Sequence, residues 1–397
     1  MEIELSETVK RVHQTLGYYP ARFPFYLTGW LLSRLSEETP RGTILDPFVG
    51  SGVTCSFARA FGLQCIGMDI NPYGILVARL GSALLGEINL ENLESLLGGL
   101  RHASGFRWLP EWRRLDYWHP PVVLEDLSIL WGYLHALDGS WGLARDLLML
   151  LLARATRRLS YADPQIPKLY RGRGPRRLAM LLARNTPREL ALREVERRLR
   201  SYISATMRLA RYVPLGAPAP TLLWRDARSG PPVNTKVDIV FTSPPYLAAH
   251  EYSRSTKLEL YWLGYSEDVV SSVKKREIPY SNTPQHPVES ATYRRFREMI
   301  PAKRRKIYDR YFQAIALAFD KALEARPSKL AIVVGPATLG GRKVPICSIL
   351  YEHLRARGFN LALYFINTIQ KRKLFNYRNN KNPNGITNEN ILVLEEK

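Results

Sequence analysis

Between residues 42 and 69 a strand, a glycine turn, a helix and a second strand follow one another without a break, and this order restricts the fold more than any other feature. GTILD and LQCIGMD are apolar runs of strand length, and VTCSFARAFG between them has helical periodicity. Parallel strands need a crossover connection, which is right-handed in nearly all proteins. The segment therefore predicts a βαβ unit within a doubly wound, mostly parallel α/β sheet.

The same alternation returns near residue 221. Five runs predict strands: LLWRD, VDIVF, SKLAIVVG, FNLALYFI and NENILVLEE. STKLELYWLGY predicts a helix followed by a basic loop, and further helices are expected near residues 305–325 and in VPICSILYEHLRARG. Residues 86–218 are instead helical, leucine-rich and dense in arginine. We therefore expect residues 1–85 and 219–397 to form one α/β domain, interrupted at 86–218 by a basic helical insertion that serves target recognition.

The charge balance favours a polyanionic partner. The chain has 57 Lys and Arg against 36 Asp and Glu, a formal net charge of +21, which is typical of nucleic-acid-binding proteins. No apolar run has the length of a membrane span, and the polar start MEIELSETVK is unlike a secretory signal, so we expect a cytoplasmic protein without membrane contact. The three cysteines show no CxxC pairing, which favours core thiols over a disulfide framework or a metal site.

The turn DPFVGSGVT after the first predicted strand has the properties of a ligand-binding loop. Gly50 and Gly52 allow a tight turn and close backbone approach, and the next helix offers free N–H groups. Asp69 ends the following strand, where an acidic side chain binds ribose hydroxyls. Asp46 at the strand tip would repel a pyrophosphate. The turn therefore predicts a nucleoside ligand with a positively charged tail rather than a dinucleotide.

The stretch TSPPYL ends another predicted strand in a rigid corner. Adjacent prolines fix their φ angles and cannot donate to a sheet ladder. The carbonyls of Ser243 and Pro244 then point in fixed directions, where they can accept from an exocyclic amino group. Tyr246 can stack on a planar ring. In a parallel sheet this corner lies at the same edge as the glycine turn, so it predicts a clamp for an amino-bearing base.

DPFVGSGVT followed later by TSPPY resembles the S-adenosylmethionine-dependent amino-methyltransferases of nucleic acid, which include DNA cytosine-N4 and adenine-N6 enzymes and RNA relatives. The Ser-Pro-Pro-Tyr form is the one favoured by cytosine-N4 members. YYPARFP resembles the N-terminal cofactor motif of the family, and RDAR lies where the family has an acidic residue near the adenine. The resemblance implies a class I methyltransferase fold with S-adenosylmethionine as the cofactor.

The resemblance also implies roles for individual residues. Asp46 and the loop through Gly52 would hold the methionine moiety, Asp69 the ribose and Asp226 the adenine amino group. The implied cofactor-binding residues are Tyr19, Pro20, Phe23, Asp46, Phe48, Gly50, Ser51, Gly52, Thr54, Asp69, Asn71 and Asp226. The implied catalytic residues are Ser243, Pro244, Pro245 and Tyr246.

Two basic stretches mix guanidinium groups with aromatic rings, a composition suited to contact with phosphates and bases or to a solvated helix face. The candidate substrate-binding residues in them are Arg171, Arg173, Arg176, Arg177, Arg304 and Arg305.

Together these features predict site-specific methylation of cytosine N4 in DNA, with the base rotated out of the duplex. The chain lacks a Pro-Cys pair, so we expect direct attack by the amino nitrogen without a thiolate intermediate. Three alternatives stay open: the same reaction on ribosomal or transfer RNA, adenine-N6 methylation, and a catalytically silent nucleic-acid-binding protein. A DNA-modifying enzyme of this kind could have a cognate restriction nuclease as its partner.

Overall fold

The computed structural model describes residues 2–17, 19, 23–166, 168–247, 252–281, 283–368 and 388–397. In this part of the chain the strands are β1 (Thr43–Asp46), β2 (Gln64–Asp69), β3 (Thr221–Trp224), β4 (Ile239–Thr242), β5 (Lys329–Val334), β6 (Thr338–Leu339), β7 (Arg342–Lys343), β8 (Phe359–Thr368) and β9 (Asn388–Glu396). Seven of these described strands form one sheet in the order β3-β2-β1-β4-β5-β9-β8, and β6 and β7 form a separate hairpin.

The sheet is parallel from β3 to β5 and antiparallel at its other side. β1 pairs with both β2 and β4, with Ile44 opposite Cys65 on one side and Ile239 on the other. β9 runs antiparallel to both of its neighbours, β5 and β8. The strand order reverses direction between β1 and β4, which is where doubly wound sheets bind ligands at the carboxyl ends of their strands. The expected α/β class with a mostly parallel doubly wound sheet is confirmed.

The helices of the described residues are α1 (Glu2–Leu16), α2 (Phe25–Glu38), α3 (Val53–Ala60), α4 (Pro72–Ser82), α5 (Leu90–Arg101), α6 (Leu115–Trp118), α7 (Pro121–Ala136), α8 (Gly142–Arg158), α9 (Gly174–Leu182), α10 (Pro187–Ala210), α11 (Tyr252–Trp262), α12 (Glu267–Arg276), α13 (Ala291–Met299), α14 (Ala302–Leu323) and α15 (Ile346–Arg355). Local sequence explains their ends. In α10, for example, Thr186 and Glu189 form a capping box and Pro187 occupies the first turn. The prediction of a basic loop directly after α11 is wrong, because Ser266 caps a further helix there, α12.

Side chains alternate across the strands, so each face of the sheet has its own core. Ile44 points into a cluster with α1, α3 and α4, whereas Leu45 points into a cluster with α14 and α15. The apolar residues of α8 and α10 belong to the first cluster. The helical character expected for residues 86–218 is confirmed. The helices of this segment pack on one face of the sheet and share the core on that face.

Several arginines of this insertion hold the layer together. Glu194 is buried and accepts salt bridges from three arginines of α8 and α10. Glu259 of α11 is also buried and pairs with Arg157 at 3.1 Å, and Arg157 donates to the carbonyl of Ser255 as well. A buried carboxylate needs such partners, because an unpaired charge in the core is very costly. Some of the arginines in the insertion therefore stabilise the fold by pairing with buried carboxylates.

Cys55 and Cys65 form a disulfide that joins α3 to β2, so the expectation of core thiols is wrong for this pair. Cys55 is the third residue of α3 and Cys65 is the second residue of β2, and the two meet because α3 packs against the strand that follows it. In the part of the chain that the structure describes, no helix is both long enough and apolar enough to cross a bilayer.

Candidate active site

The glycine turn after β1 and the Pro-Pro corner after β4 open onto one cleft at the carboxyl edge of the sheet. The unfilled space of the cleft, including its open mouth, is about 930 Å³. It is lined by Tyr19, Phe23, Pro47, Phe48, Val49, Gly50, Ser51, Val53, Asp69, Ile70, Asn71, Asp226, Ala227, Ser243, Pro244, Pro245, Tyr246, Tyr252, Ser253, Val273, Arg276, Glu277 and Ile278.

Glycine is required in the turn for two different reasons. Gly50 and Gly52 have φ angles of 53° and 82°, where side chains other than glycine are strained. A Cβ at Gly50 would lie 2.9 Å from the ring of Tyr19, and one at Gly52 would lie 2.5 Å from the Cβ of Ala78. Helix α3 begins directly after Gly52 without a side-chain cap. The first-turn N–H groups near Val53 are therefore suited to an anionic group of a ligand.

Asp69 lies at the tip of β2 with its carboxylate fixed by the backbone. It accepts hydrogen bonds from the N–H groups of Gly50 at 2.9 Å and Asn71 at 2.8 Å, and from the hydroxyl of Tyr19 at 3.3 Å. Burial raises the pKa of Asp69 to about 6, although these donors act in the opposite direction. A carboxylate held in this way on a cleft wall presents its remaining lone pairs to hydroxyl donors.

Asp46 lies beneath the cleft and connects the two motifs. It accepts from the hydroxyls of Thr54 and Thr242, each at 2.7 Å, and from the N–H of Phe48 at 3.1 Å. Its side chain is fully buried, and burial raises its pKa to about 6 against the effect of these donors. Asp46, which was expected to help hold a ligand, does not itself line the cleft. Like Asp46, Gly52 and Thr54 lie behind the cleft wall, where they shape the turn.

Tyr246 is held by three groups at the Pro-Pro corner. Its hydroxyl donates to Glu389 of β9 at 3.2 Å, and its N–H donates to the hydroxyl of Tyr252 at 3.4 Å. Its ring packs so closely on Gly335 that a Cβ there would lie 2.6 Å from the ring. Burial, and then the charge of Glu389, raise the pKa of Tyr246 well above its usual value. The tyrosine therefore stays neutral, with its ring orientation fixed on the wall of the cleft.

Two other expected cofactor residues have well-defined partners. Asp226 lines the cleft, but its carboxylate already accepts from Arg228, through the backbone N–H at 3.0 Å and the guanidinium at 2.6 Å. Asn71 accepts from the N–H of Tyr73 at the start of α4 and donates to Thr256 of α11. These side chains are thus oriented before any ligand arrives.

The aromatic segment before α2 contributes Tyr19 and Phe23 to the cleft, and Phe23 stacks on Phe241 of β4 at 5.2 Å between ring centroids. Pro20 lies outside the described residues.

One wall of the cleft was missed by reasoning from the sequence. Tyr252 and Ser253 begin α11, and Glu277 follows α12; all three line the cleft. Glu277 is buried and accepts from the N–H of Tyr252 and from the hydroxyl of Ser253 at 2.8 Å, so it caps α11 from a distance of 24 residues in the chain. A lone glutamate before Ile-Pro carries no motif, and only the packing of α12 against α11 reveals it.

The arginines expected to bind substrate are not among the residues that line the cleft. Arg171 stacks between the rings of Tyr117 and Tyr161, with the guanidinium 4.7 Å and 4.4 Å from their centroids. Arg177 donates to the carbonyl of Ser160. Arg173 and Arg176 are exposed at the start of α9, and Arg304 is exposed in the first turn of α14. Arg305, the next residue, is half-buried and pairs with Glu298 at 3.3 Å.

Comparisons with known proteins agree with the N-terminal motifs. Residues 3–79 match a family of N6 and N4 methyltransferases described as DNA methylase. The type II methyltransferase M.BsoBI of Geobacillus stearothermophilus is 24% identical over 276 residues, which are 62% of this chain and 53% of that protein. The chain thus spans about half the length of this relative. Both matches support the resemblance to the N4 and N6 amino-methyltransferases, and methyltransferases of that family use S-adenosylmethionine.

A solved structure, the rRNA methyltransferase aviRa of Streptomyces viridochromogenes, aligns over 96% of this chain and 89% of its own at 12% identity, with a TM-score of 0.35. A likeness at this level carries no argument about function.

Proposed function

We propose that this protein methylates the exocyclic amino group of a nucleic-acid base, and that the base is cytosine N4 in DNA. The observation that supports this most directly is the shared cleft, into which both the glycine turn beside Asp69 and the Ser243–Tyr246 corner open. A binding protein without chemistry has no need to bring a nucleoside site and an amino-group clamp together.

The residues of the cleft fit S-adenosylmethionine. Asp69 offers a fixed carboxylate to ribose hydroxyls, and the uncapped start of α3 offers N–H groups to the carboxylate of the methionine end. Tyr19, Phe23 and Phe48 supply apolar walls, and Asp226, which also lines the cleft, is assigned to the adenine amino group. When bound, this cofactor supplies a methyl group on a sulfonium, which is a good leaving group.

The Pro-Pro corner has the properties required to hold the target base. Its locked carbonyls, from Ser243 and Pro244, would accept hydrogen bonds from the two amino protons, and Tyr246 would stack on the ring. Because Gly335 and Glu389 fix that tyrosine from behind, the base would meet a prepared surface, and most of the rate would come from positioning. Extruding the base from a duplex costs a few kcal/mol, which stacking would partly offset.

The assignment to cytosine N4 rests on Ser243, since serine at this position is typical of the cytosine-N4 members of the family that the sequence resembles. Incubation with methyl-labelled S-adenosylmethionine and duplex DNA, single-stranded DNA or bulk RNA identifies the polymer. Mass spectrometry of the digested product identifies the base. We expect N4-methylcytosine from DNA. Label in RNA would identify RNA as the substrate instead of DNA, and label on adenine N6 would identify adenine as the target base. Binding of cofactor and oligonucleotide without any label would favour a catalytically silent binding protein.

Variants of the corner test the roles within it. Ser243→Ala and Tyr246→Ala should lower kcat strongly and leave cofactor affinity nearly unchanged, because both residues serve the base. Ser36→Ala and Tyr26→Ala are matched controls in α2, outside the cleft. Equal losses of turnover and of cofactor affinity in the first pair would contradict these roles.

A further inference from the structure

A second, strongly basic groove lies beside the cleft, at the start of α11. Its unfilled space, including its open mouth, is about 1210 Å³. Ser253 lines both cavities, so the groove and the cleft meet at this residue. The groove is lined by Trp112, Arg114, Trp118, Leu169, Ser253, Arg254, Lys257, Glu267, Val270, Ser271 and Lys274.

Positive charge dominates the groove, because it is lined by four cationic residues and one acidic residue, Glu267. Lys257 is half-buried, and its ammonium group lies 5.9 Å from the ring centroid of Trp112. The pKa of Lys257 is lowered by burial, and the charges of Lys274 and Arg114 lower it further while Glu267 acts in the opposite direction. Cations crowded in this way repel one another, and an anion placed between them relieves that repulsion.

The aromatic residues of the groove are already stacked on each other. Trp112 lies parallel to Tyr261 with ring centroids 4.6 Å apart and an interplanar angle of 11°, and it is also stacked with Trp118 at 6.4 Å. Both tryptophans are buried. These rings therefore form a stiff wall that positions Lys257, which suits the groove to phosphates rather than to stacked bases.

The groove is anchored to the basic insertion. The N–H of Leu169 donates to the carbonyl of Arg254 at 3.3 Å, which fixes the insertion segment against α11. Arg171, two residues further on, stacks on Tyr117, the neighbour of Trp118. The positive surface thus continues from the edge of the cleft into the arginine-rich segment.

We propose that this groove binds the sugar-phosphate backbone of the strand that carries the target base, directly beside that base. The inference rests on the proposed function and deepens it, because it assigns a polynucleotide track to α11, α12 and the segment around Trp112. Each lysine of the groove would neutralise a phosphate, so binding would depend steeply on salt.

The test is a double variant, Lys257→Gln and Lys274→Gln, compared with Lys236→Gln and Lys275→Gln. The control pair removes the same charge: Lys275 adjoins Lys274 in α12 without lining the groove, and Lys236 precedes β4, at the opposite end of that strand from the cleft. Binding of a fluorescent oligonucleotide is measured by anisotropy over a range of salt concentrations, and cofactor affinity is measured by calorimetry.

We expect the groove variant to weaken oligonucleotide binding about tenfold or more at 0.1 M salt and to reduce the slope of log K against log salt by about 1.5. KM for the polynucleotide should rise while kcat and cofactor affinity stay within about twofold of the unmodified protein.

A groove variant that matches the control pair in affinity and in salt slope would overturn the proposal. So would an equal loss of cofactor affinity, since that would reveal a collapsed wall of the cleft. The anisotropy readout does not depend on turnover. If the groove variant binds the oligonucleotide more weakly and the unmodified protein itself transfers no methyl group, the proposed function is refuted and the groove assignment stands.

Discussion

Replacing Gly335 by alanine perturbs the orientation of Tyr246 and nothing else in the cleft. Gly335 directly follows β5 and does not have a positive φ, so its backbone accommodates alanine. The new Cβ would lie 2.6, 2.9 and 3.0 Å from three atoms of the Tyr246 ring. Carbon atoms pack favourably at about 3.5–4.0 Å, so the ring must move by about 1 Å.

A displacement of about 1 Å in a positioning group can cost about 10²-fold in rate. We therefore expect Gly335→Ala to lower kcat by about 10- to 100-fold in single-turnover methylation. Cofactor affinity should change by less than about twofold, because Asp69 and the glycine turn are untouched. Methyl transfer to the preferred polynucleotide is followed by quench and scintillation counting, and cofactor affinity by calorimetry.

Gly98→Ala in α5 is the matched control, since a Cβ there meets no atom within 4 Å. Alanine is preferred to glycine within a helix, so this variant should be fully active and slightly more stable. Unchanged turnover in Gly335→Ala would refute the idea that the ring orientation of Tyr246 sets the rate. A parallel loss of cofactor affinity would refute the separation of the two sites.

Three further predictions follow from buried or half-buried carboxylates. Ionised Asp69 is the stronger acceptor for hydroxyl donors, and burial raises the pKa of Asp69 to about 6. Cofactor affinity should therefore fall by up to about tenfold per pH unit below pH 6 and level off above pH 7. Calorimetry from pH 5 to 8 checks this, and a flat profile contradicts it. Thr242→Val removes a donor from buried Asp46 and should lower the free energy of unfolding by about 1.5–3 kcal/mol in urea titrations, whereas an unchanged midpoint would argue against that bond. Glu389→Gln weakens the hydrogen bond that holds Tyr246 by about 1 kcal/mol and should lower kcat about fivefold at constant cofactor affinity; an equal change in affinity would show that Glu389 acts on the cleft as a whole.

The sequence alone was sufficient to predict the sheet and the two motifs, because both depend on neighbouring residues. Strand and helix periodicity from residue 42 to residue 69 gave the βαβ unit, and the structure places β1, α3 and β2 within a residue or two of those limits. Gly50 and Gly52 were readable as turn residues because backbone conformation is a local property. Parallel strands carry their carboxyl ends to one edge, so the meeting of the motifs in a cleft followed from topology.

Contacts between distant segments were decided only by the tertiary structure. Asp46 was expected to face a ligand, yet packing brings Thr242, 196 positions away, against its carboxylate and buries both. Glu277 caps α11, and Lys257 and Lys274 share a groove, only because α11 and α12 pack together. Such partners are selected by the shape and burial of the whole core. A periodic pattern reports which face of an element is apolar, and it carries no information about which distant side chain will meet that face.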